Sequence, residues 1–247
     1  MAVEPILHVS GVSKRFGGLV AVAEVSFAVQ EGEIFSVIGP NGAGKTTLFS
    51  LLVGSQRPTT GNIRFRGEEI SGLRNDQVVA RGLVRTHQIV RPFRDMTVKQ
   101  NVAVGALFGS QQRRGDEARA RVAEVLERTG LSARAQVLAG TLTIGELKRL
   151  EIARALATEP RALCLDEVMG GLNPSEIQGA MALIRDIRKM GITVLLIEHH
   201  VHAVVGVSDR VMVLNFGRKI AEGRPHQVLR DPAVVAAYLG DEEGAAA

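Results

Sequence analysis

The nine residues GPNGAGKTT, at positions 39–47, constrain this chain more than any other stretch. Gly39, Gly44, Lys45 and Thr46 fill every fixed position of the pattern G-x-x-x-x-G-K-[ST]. The run EIFSVI before it reads as a short buried strand, and TTLFSLLV, beginning inside it, as a helix. In that order, glycines let successive N–H groups curl around a chain of phosphates, and the helix N-terminus adds its positive end. Lys45 is placed to reach the outer phosphates, and the Thr46 hydroxyl to ligate Mg2+. The expectation is a bound nucleoside triphosphate with magnesium, contacted by Gly39, Asn41, Gly42, Gly44, Lys45, Thr46 and Thr47. A glycine-rich turn that merely holds a lysine would not come with both strand and helix in place.

A chain of 247 residues is one large α/β domain or two small ones. Its hydrophobic content of 45%, with 4% aromatics and no Trp, predicts a core of Val, Ile, Leu and Ala. No stretch approaches the ~18 uninterrupted apolar residues of a membrane helix. The opening MAVEPILHVS has neither a basic leader nor an apolar run, so no secretory signal is expected there. The single cysteine, Cys164, excludes an internal disulfide and sits in an apolar strand, as a core residue in a reducing, cytoplasmic setting does. The net charge of +4 is dispersed and not interleaved with aromatics, so nucleic acid is not expected as a partner. The densest basic run, QQRR at 111–114 with Arg119 and Arg121, reads as a solvated loop and helix face.

Residues 6–10 and 25–29 read as strands of a small β-layer, punctuated by Gly11 and by Gly17-Gly18. Phe16 lies within it. An exposed aromatic near a nucleotide stacks on the base, although Phe16 taken alone reads as core. Residues 62–67 alternate like an antiparallel strand. Gln88 ends an ordered segment, and IVRPFRDM at 89–96 breaks both periodicities. From 97 to 131 the pattern is helical, so a mostly helical subdomain is inserted between the loop and the next core strand. Thr143 with Glu146 predicts a capping box on a helix whose amphipathic stretch is 147–157. A hydroxyl, the Gly145 N–H and a helix N-terminus there also suit an anion. RALCLDE at 161–167 is an apolar strand ending in two carboxylates, a costly arrangement unless they serve something. A phosphate loop supplies the reason: Asp166 holds magnesium through water and Glu167 polarises the attacking water. ITVLLI at 192–197 runs into Glu198, His199 and His200, and a histidine on a strand aimed at that site donates to a γ-phosphate. Residues 231–239 read as a short helix and 240–247 as a frayed end.

In this order and spacing the elements resemble the ATP-binding subunits of ABC transporters, over essentially the whole chain. The resemblance rests on residues 39–47, Gln88 at the Q-loop, LTIGE at 142–146 in place of the signature LSGGQ, Asp166-Glu167, GGLN at 170–173 as the D-loop, and His199 as the switch histidine. It implies a P-loop NTPase fold, α/β, with a core sheet flanked by helices, an antiparallel β-layer and the inserted helical subdomain. The whole chain is then a single ATPase domain, with 1–87 and 161–247 as core and β-layer and 88–160 as the helical subdomain. ATP is held with Mg2+ by Thr46, Gln88 and Asp166, Phe16 stacks on adenine, Glu167 is the catalytic base, and Lys45 and His199 act on the γ-phosphate. Two such subunits close head to tail, as a homo- or heterodimer, so that Thr143, Gly145 and Glu146 of one touch the ATP of the other. Ile144 and Glu146 depart from the common signature, and a carboxylate near a triphosphate is unfavourable unless it has another partner.

Segments such as KRFGGLVAV, LLIEHH and DPAVVAAYLGD are similar to the ATPases of branched-chain amino-acid importers. The implied partners are integral membrane permease subunits, received by residues 89–96 with Phe93 as an anchor, and an extracytoplasmic solute-binding protein. The implied location is peripheral, at the cytoplasmic face of the cell membrane. The alternatives are the ATPase of a lipid or lipopolysaccharide exporter, and a soluble ABC protein acting on nucleic acid.

Overall fold

The structure, a computed structural model, describes residues 4–86 and 92–244, with side chains through Tyr238. Two compact units form, one from residues 1–75 with 193–247 and the other from 76–192. The first begins with strands β1 (Leu7–Phe16), β2 (Leu19–Val29) and β3 (Ile34–Ile38), helix α1 (Lys45–Leu52), and strands β4 (Thr60–Phe65) and β5 (Glu68–Glu69). Then come α2 (Asn75–Ala80), β6 (Leu83–Arg85), α3 (Val98–Phe108), α4 (Gly115–Arg128), α5 (Ile144–Ala157), β7 (Ala162–Asp166) and α6 (Pro174–Lys189). The chain returns to the first unit with β8 (Thr193–Ile197), α7 (Val201–Val207), β9 (Arg210–Asn215), β10 (Arg218–Gly223), α8 (Pro225–Val228) and α9 (Pro232–Gly244).

In the first unit, β2, β1, β4 and β5 form the expected antiparallel layer. Gly11, expected to end a strand, lies inside β1, where the register with β2 shifts between Val9 and Val12. Strand β3 pairs in parallel with both β8 and β9, and β10 adds antiparallel to β9. All five residues of β3 and of β8 are buried, as befits parallel strands covered on both faces. The Phe27 and Phe35 rings stack with centroids 5.3 Å apart, and the Arg210 guanidinium lies 5.2 Å from the Phe35 centroid. Arg210 also pairs with Glu33 at 3.0 Å and with Glu222. Ile38, the last residue of β3, packs with Val204, Val211, Val213, Val228 and Val234.

In the second unit β6 and β7 pair in parallel, and α3 packs on α4 and α5. Helix α5 starts at Ile144, earlier than its amphipathic stretch suggests, because Thr143 caps it directly and both capping-box bonds form. A short helix, α2, precedes β6. In the first unit α9 continues to Gly244, beyond the expected frayed start at 240.

Asn101 organises the loop before α3. It is fully buried; its side-chain carbonyl accepts from Phe93 N–H at 2.9 Å, and its amide donates to the carbonyls of Phe93, Met96 and Thr97 at 3.0, 3.3 and 3.0 Å. Replacing Asn101 with Leu orphans these groups, and urea unfolding is expected to show a loss of about 2–4 kcal/mol. Glu159 is held below the usual carboxylate range by the hydrogen bond from Arg113. Its contribution is therefore full above the unfolded value of about 4.3 and fades as the pH falls through the lower folded value. The urea midpoint is expected to drop less steeply on acidification in Glu159→Gln than in the parent chain.

Candidate functional site

In the first unit the candidate residues gather where three strands end. Val37 lies opposite Ile197 and Ile38 opposite Val213, so the chain leaves parallel β3, β8 and β9 at one edge of the sheet. Residues 39–47 follow β3, Glu198 and His199 follow β8, and Phe216 and Gly217 follow β9. Carboxyl ends of parallel strands are where open α/β sheets bind ligands. Backbone bonds draw the loop tight: Gly217 N–H donates to Ala43 O at 3.0 Å, and Ala23 N–H to Gly217 O at 2.8 Å. A β-carbon on Gly39, at φ 146, would lie 2.0 Å from Leu214 O, and one on Gly44, at φ 98, would lie 2.3 Å from Ala21 O. Neither position admits a side chain.

Helix α1 has Gly44 as its cap, no side-chain cap and no acid in its first turn, whereas α3, α5 and α6 each carry a complete capping box. Its N-terminal N–H groups are therefore left for an anion, with no carboxylate of its own first turn competing for them. Lys45 is 5% exposed and donates to the carbonyls of Gly39 and Pro40 at 2.7 and 2.8 Å, folding its ammonium over the loop. Asn41, Gly42 and Thr46 are exposed and Thr47 half-buried. Phe16 is 45% exposed, against the core reading of that residue alone. It sits opposite Leu19 at the β1–β2 turn, close along the strand to Ala21, with the Lys14 ammonium 5.0 Å from its ring centroid. His199 is exposed, directly after the buried Glu198.

The remaining candidates belong to the second unit. Thr143 Oγ1 accepts from Glu146 N–H at 3.3 Å, and Glu146 Oε2 accepts from Thr143 N–H at 3.0 Å. Arg134 donates to Glu146 Oε1 at 2.7 Å. The Thr143 N–H, then desolvation acting in the opposite sense, then Arg134 leave the Glu146 carboxyl below its ordinary range. The charge that departs from the common signature thus has a cation of its own. Gly145 is buried beside Glu176, and Ile144 is 60% exposed. At the end of β7, Asp166 is fully buried: Oδ2 accepts from Arg85 at 2.5 Å, and Oδ1 has no hydrogen-bond partner among the described residues. Glu167 adopts the left-handed conformation, φ 50, and its carbonyl accepts from Lys148 at 2.9 Å. Gln88 lies outside the described residues, as do 89–91 of the irregular stretch. Arg85, Arg134 and Lys148 escape a reading of the sequence, because nothing in their spacing sets them apart from other basic residues.

These donors suit a magnesium-bound triphosphate. In the first unit the loop offers N–H groups and an ammonium; in the second, Asp166 Oδ1, without a hydrogen-bond partner among the described residues, is the kind of oxygen a hard cation or its water takes up. Among the described residues no three His, Cys, Asp or Glu cluster to hold a metal alone. Magnesium fits this pattern, since it relies on one or two protein oxygens, water and phosphate.

Comparison with known proteins agrees with this chemistry. The ABC transporter family pattern matches residues 22–170, and that of the branched-chain amino acid ATP-binding cassette transporter matches 218–244. The high-affinity branched-chain amino acid transport ATP-binding protein BraF of Pseudomonas aeruginosa is 45% identical over 96% of this chain and 98% of its own. Its counterpart LivG of Escherichia coli K12 is 44% identical over 96% and 99%. The crystal structure of the ADP conformation of MJ1267, an ATP-binding cassette of an ABC transporter, matches with TM-score 0.88 at 31% identity, over 96% of this chain and 99% of that one. The fold is the expected P-loop α/β ATPase fold with an antiparallel β-layer, and the chain belongs to the ABC transporter family, among the ATP-binding proteins of branched-chain amino acid transport.

Proposed function

We propose that this protein hydrolyses ATP with Mg2+ to power uptake of branched-chain or other hydrophobic amino acids, as the cytoplasmic-face subunit of a membrane transporter. As a member of its family it is an ABC transporter ATPase. The observation that carries the mechanism is the uncapped, acid-free helix behind the glycine loop of the first unit.

In this reading the N–H groups of residues 39–47 and the Lys45 ammonium grip the phosphates, and Phe16 stacks on adenine. Thr46, Gln88 and Asp166 hold Mg2+, which neutralises charge building on the phosphate oxygens. Glu167 takes the proton of the attacking water as its oxygen bonds to the γ-phosphorus and the bond to the β-phosphate oxygen breaks. His199 donates to the γ-phosphate. A second ATPase subunit, identical or related, presents its own Thr143, Gly145 and Glu146 to the same ATP. The exposure of Ile144 and the pairing of Glu146 with Arg134 support that arrangement, since they leave an apolar, charge-compensated face to cover. The whole chain acts as one ATPase domain, with 88–160 as its helical part.

A groove lined by Val84, Arg85, Val104, Phe108 and Arg154, with Phe108 77% exposed, supports docking of a permease helix. Phe93 is 46% exposed beside the Arg154 guanidinium, 5.0 Å from its ring centroid. Among the described residues no helix is long and apolar enough to cross a membrane. In this reading the solute passes through permease chains supplied by an extracytoplasmic solute-binding protein.

Phosphate-release assays on Glu167→Gln are expected to show turnover reduced about 100-fold or more. ATP should meanwhile hold the variant as a dimer in size-exclusion chromatography, and unchanged turnover would remove Glu167 from the role of base. Lys45→Ala is expected to abolish nucleotide binding by equilibrium dialysis. Purification of the subunit from membranes is expected to bring integral permease chains with it.

A further inference from the structure

Arg85 closes β6, and its side chain is 9% exposed. From the neighbouring parallel strand, Asp166 presents Oδ2 to its guanidinium. The next residue holds the same strand by its backbone: Thr86 Oγ1 accepts from Asp166 N–H at 3.1 Å, and Thr86 N–H donates to Cys164 O at 2.9 Å. A carboxylate gripped at one oxygen by a charge-assisted bond, on a backbone pinned at its own N–H, cannot swing. The aim of Oδ1, buried and without a hydrogen-bond partner among the described residues, is thereby set. Arg85 and Thr86 also line the open groove that holds Phe108 and Arg154. One pair of adjacent residues therefore touches both the surface groove and the buried acid.

We propose that Arg85 is a positioning residue that fixes the magnesium-facing oxygen of Asp166 and ties its aim to what fills the groove. The proposal rests on the reading above that Asp166 faces Mg2+ and that the groove receives a partner helix. Charge compensation alone would make lysine an adequate replacement. Geometric control would not, because an ammonium is a point charge without the planar fork that orients a carboxylate. Residues that orient a metal's ligands carry a measurable share of its affinity.

The test is the Mg2+ dependence of nucleotide binding, read with a fluorescent ATP analogue on the intact chain. Arg85→Lys is expected to raise the half-saturating Mg2+ concentration about tenfold. Its melting temperature and its affinity for the analogue in EDTA should match the parent. Arg85→Gln should shift the dependence further, and where that variant misfolds the Arg85→Lys comparison decides. A normal Mg2+ dependence in the Arg85 variants, while Asp166→Asn shifts it, overturns the proposal. No shift in Asp166→Asn overturns the magnesium reading itself and the proposal with it. For the groove, Phe108→Cys is labelled with a bulky maleimide. Native Cys164 is fully buried with its thiol pushed up to about 12, and stays unlabelled. The label is expected to move the Mg2+ midpoint in the parent background and not in Arg85→Lys. A label without effect in the parent overturns the link to the groove.

Discussion

The close approach of backbone to backbone at Gly39 and Gly44 is the constraint on which the first unit turns. Each glycine rests where a β-carbon would enter a carbonyl oxygen of another strand, β9 for one and β2 for the other. The bonds linking Ala43, Gly217 and Ala23 hold the three segments in that relation. Because strands β3, β8 and β9 are parallel and fully paired, their ends are fixed, and the loop inherits its position from the sheet rather than from its own contacts. A loop so held does not collapse onto its N–H groups, and the uncapped helix behind it keeps them available.

The second unit solves a different problem, that of keeping charge in place away from water. Asp166 is buried without loss of fold because Arg85 answers its charge, and Glu146 is tolerated in the signature segment because Arg134 and the Thr143 N–H answer its own. The paired acids sit at element ends, where N–H groups and basic side chains converge. Lys148, from α5, joins that helix to the carbonyl of Glu167, so the signature helix and the carboxylate strand share a direct bond within one unit.

Much of this was legible in the sequence, because some features act over a few residues. The strand, glycine loop and helix follow from local spacing, and Thr143 with Glu146 announced a capping box that the structure contains. Equivalent boxes at Thr97 with Gln100 and at Asn173 with Glu176 are as local, but Thr97 opens a stretch read for its hydrophobic period and Asn173 closes one read as the D-loop. What the sequence hides is long-range: Arg85 and Asp166 are 81 residues apart, and no periodicity links an arginine on one strand to an acid on another. Asn101 is hidden for a related reason, since an asparagine on a helix reads as solvated until the loop it holds is seen folded around it. Phe16 shows the reverse error, an aromatic whose type suggests a core and whose place at a hairpin turn leaves it outside.

The left-handed backbone of Glu167 carries a further consequence. A glycine would sit there without strain, which for a residue with a side chain amounts to about 1–2 kcal/mol. Under selection for robustness alone, mutation would drift toward glycine and delete the carboxylate we propose as base. The strain at this position is therefore one that only loss of the side chain would relieve, and relief would remove the proton acceptor with it.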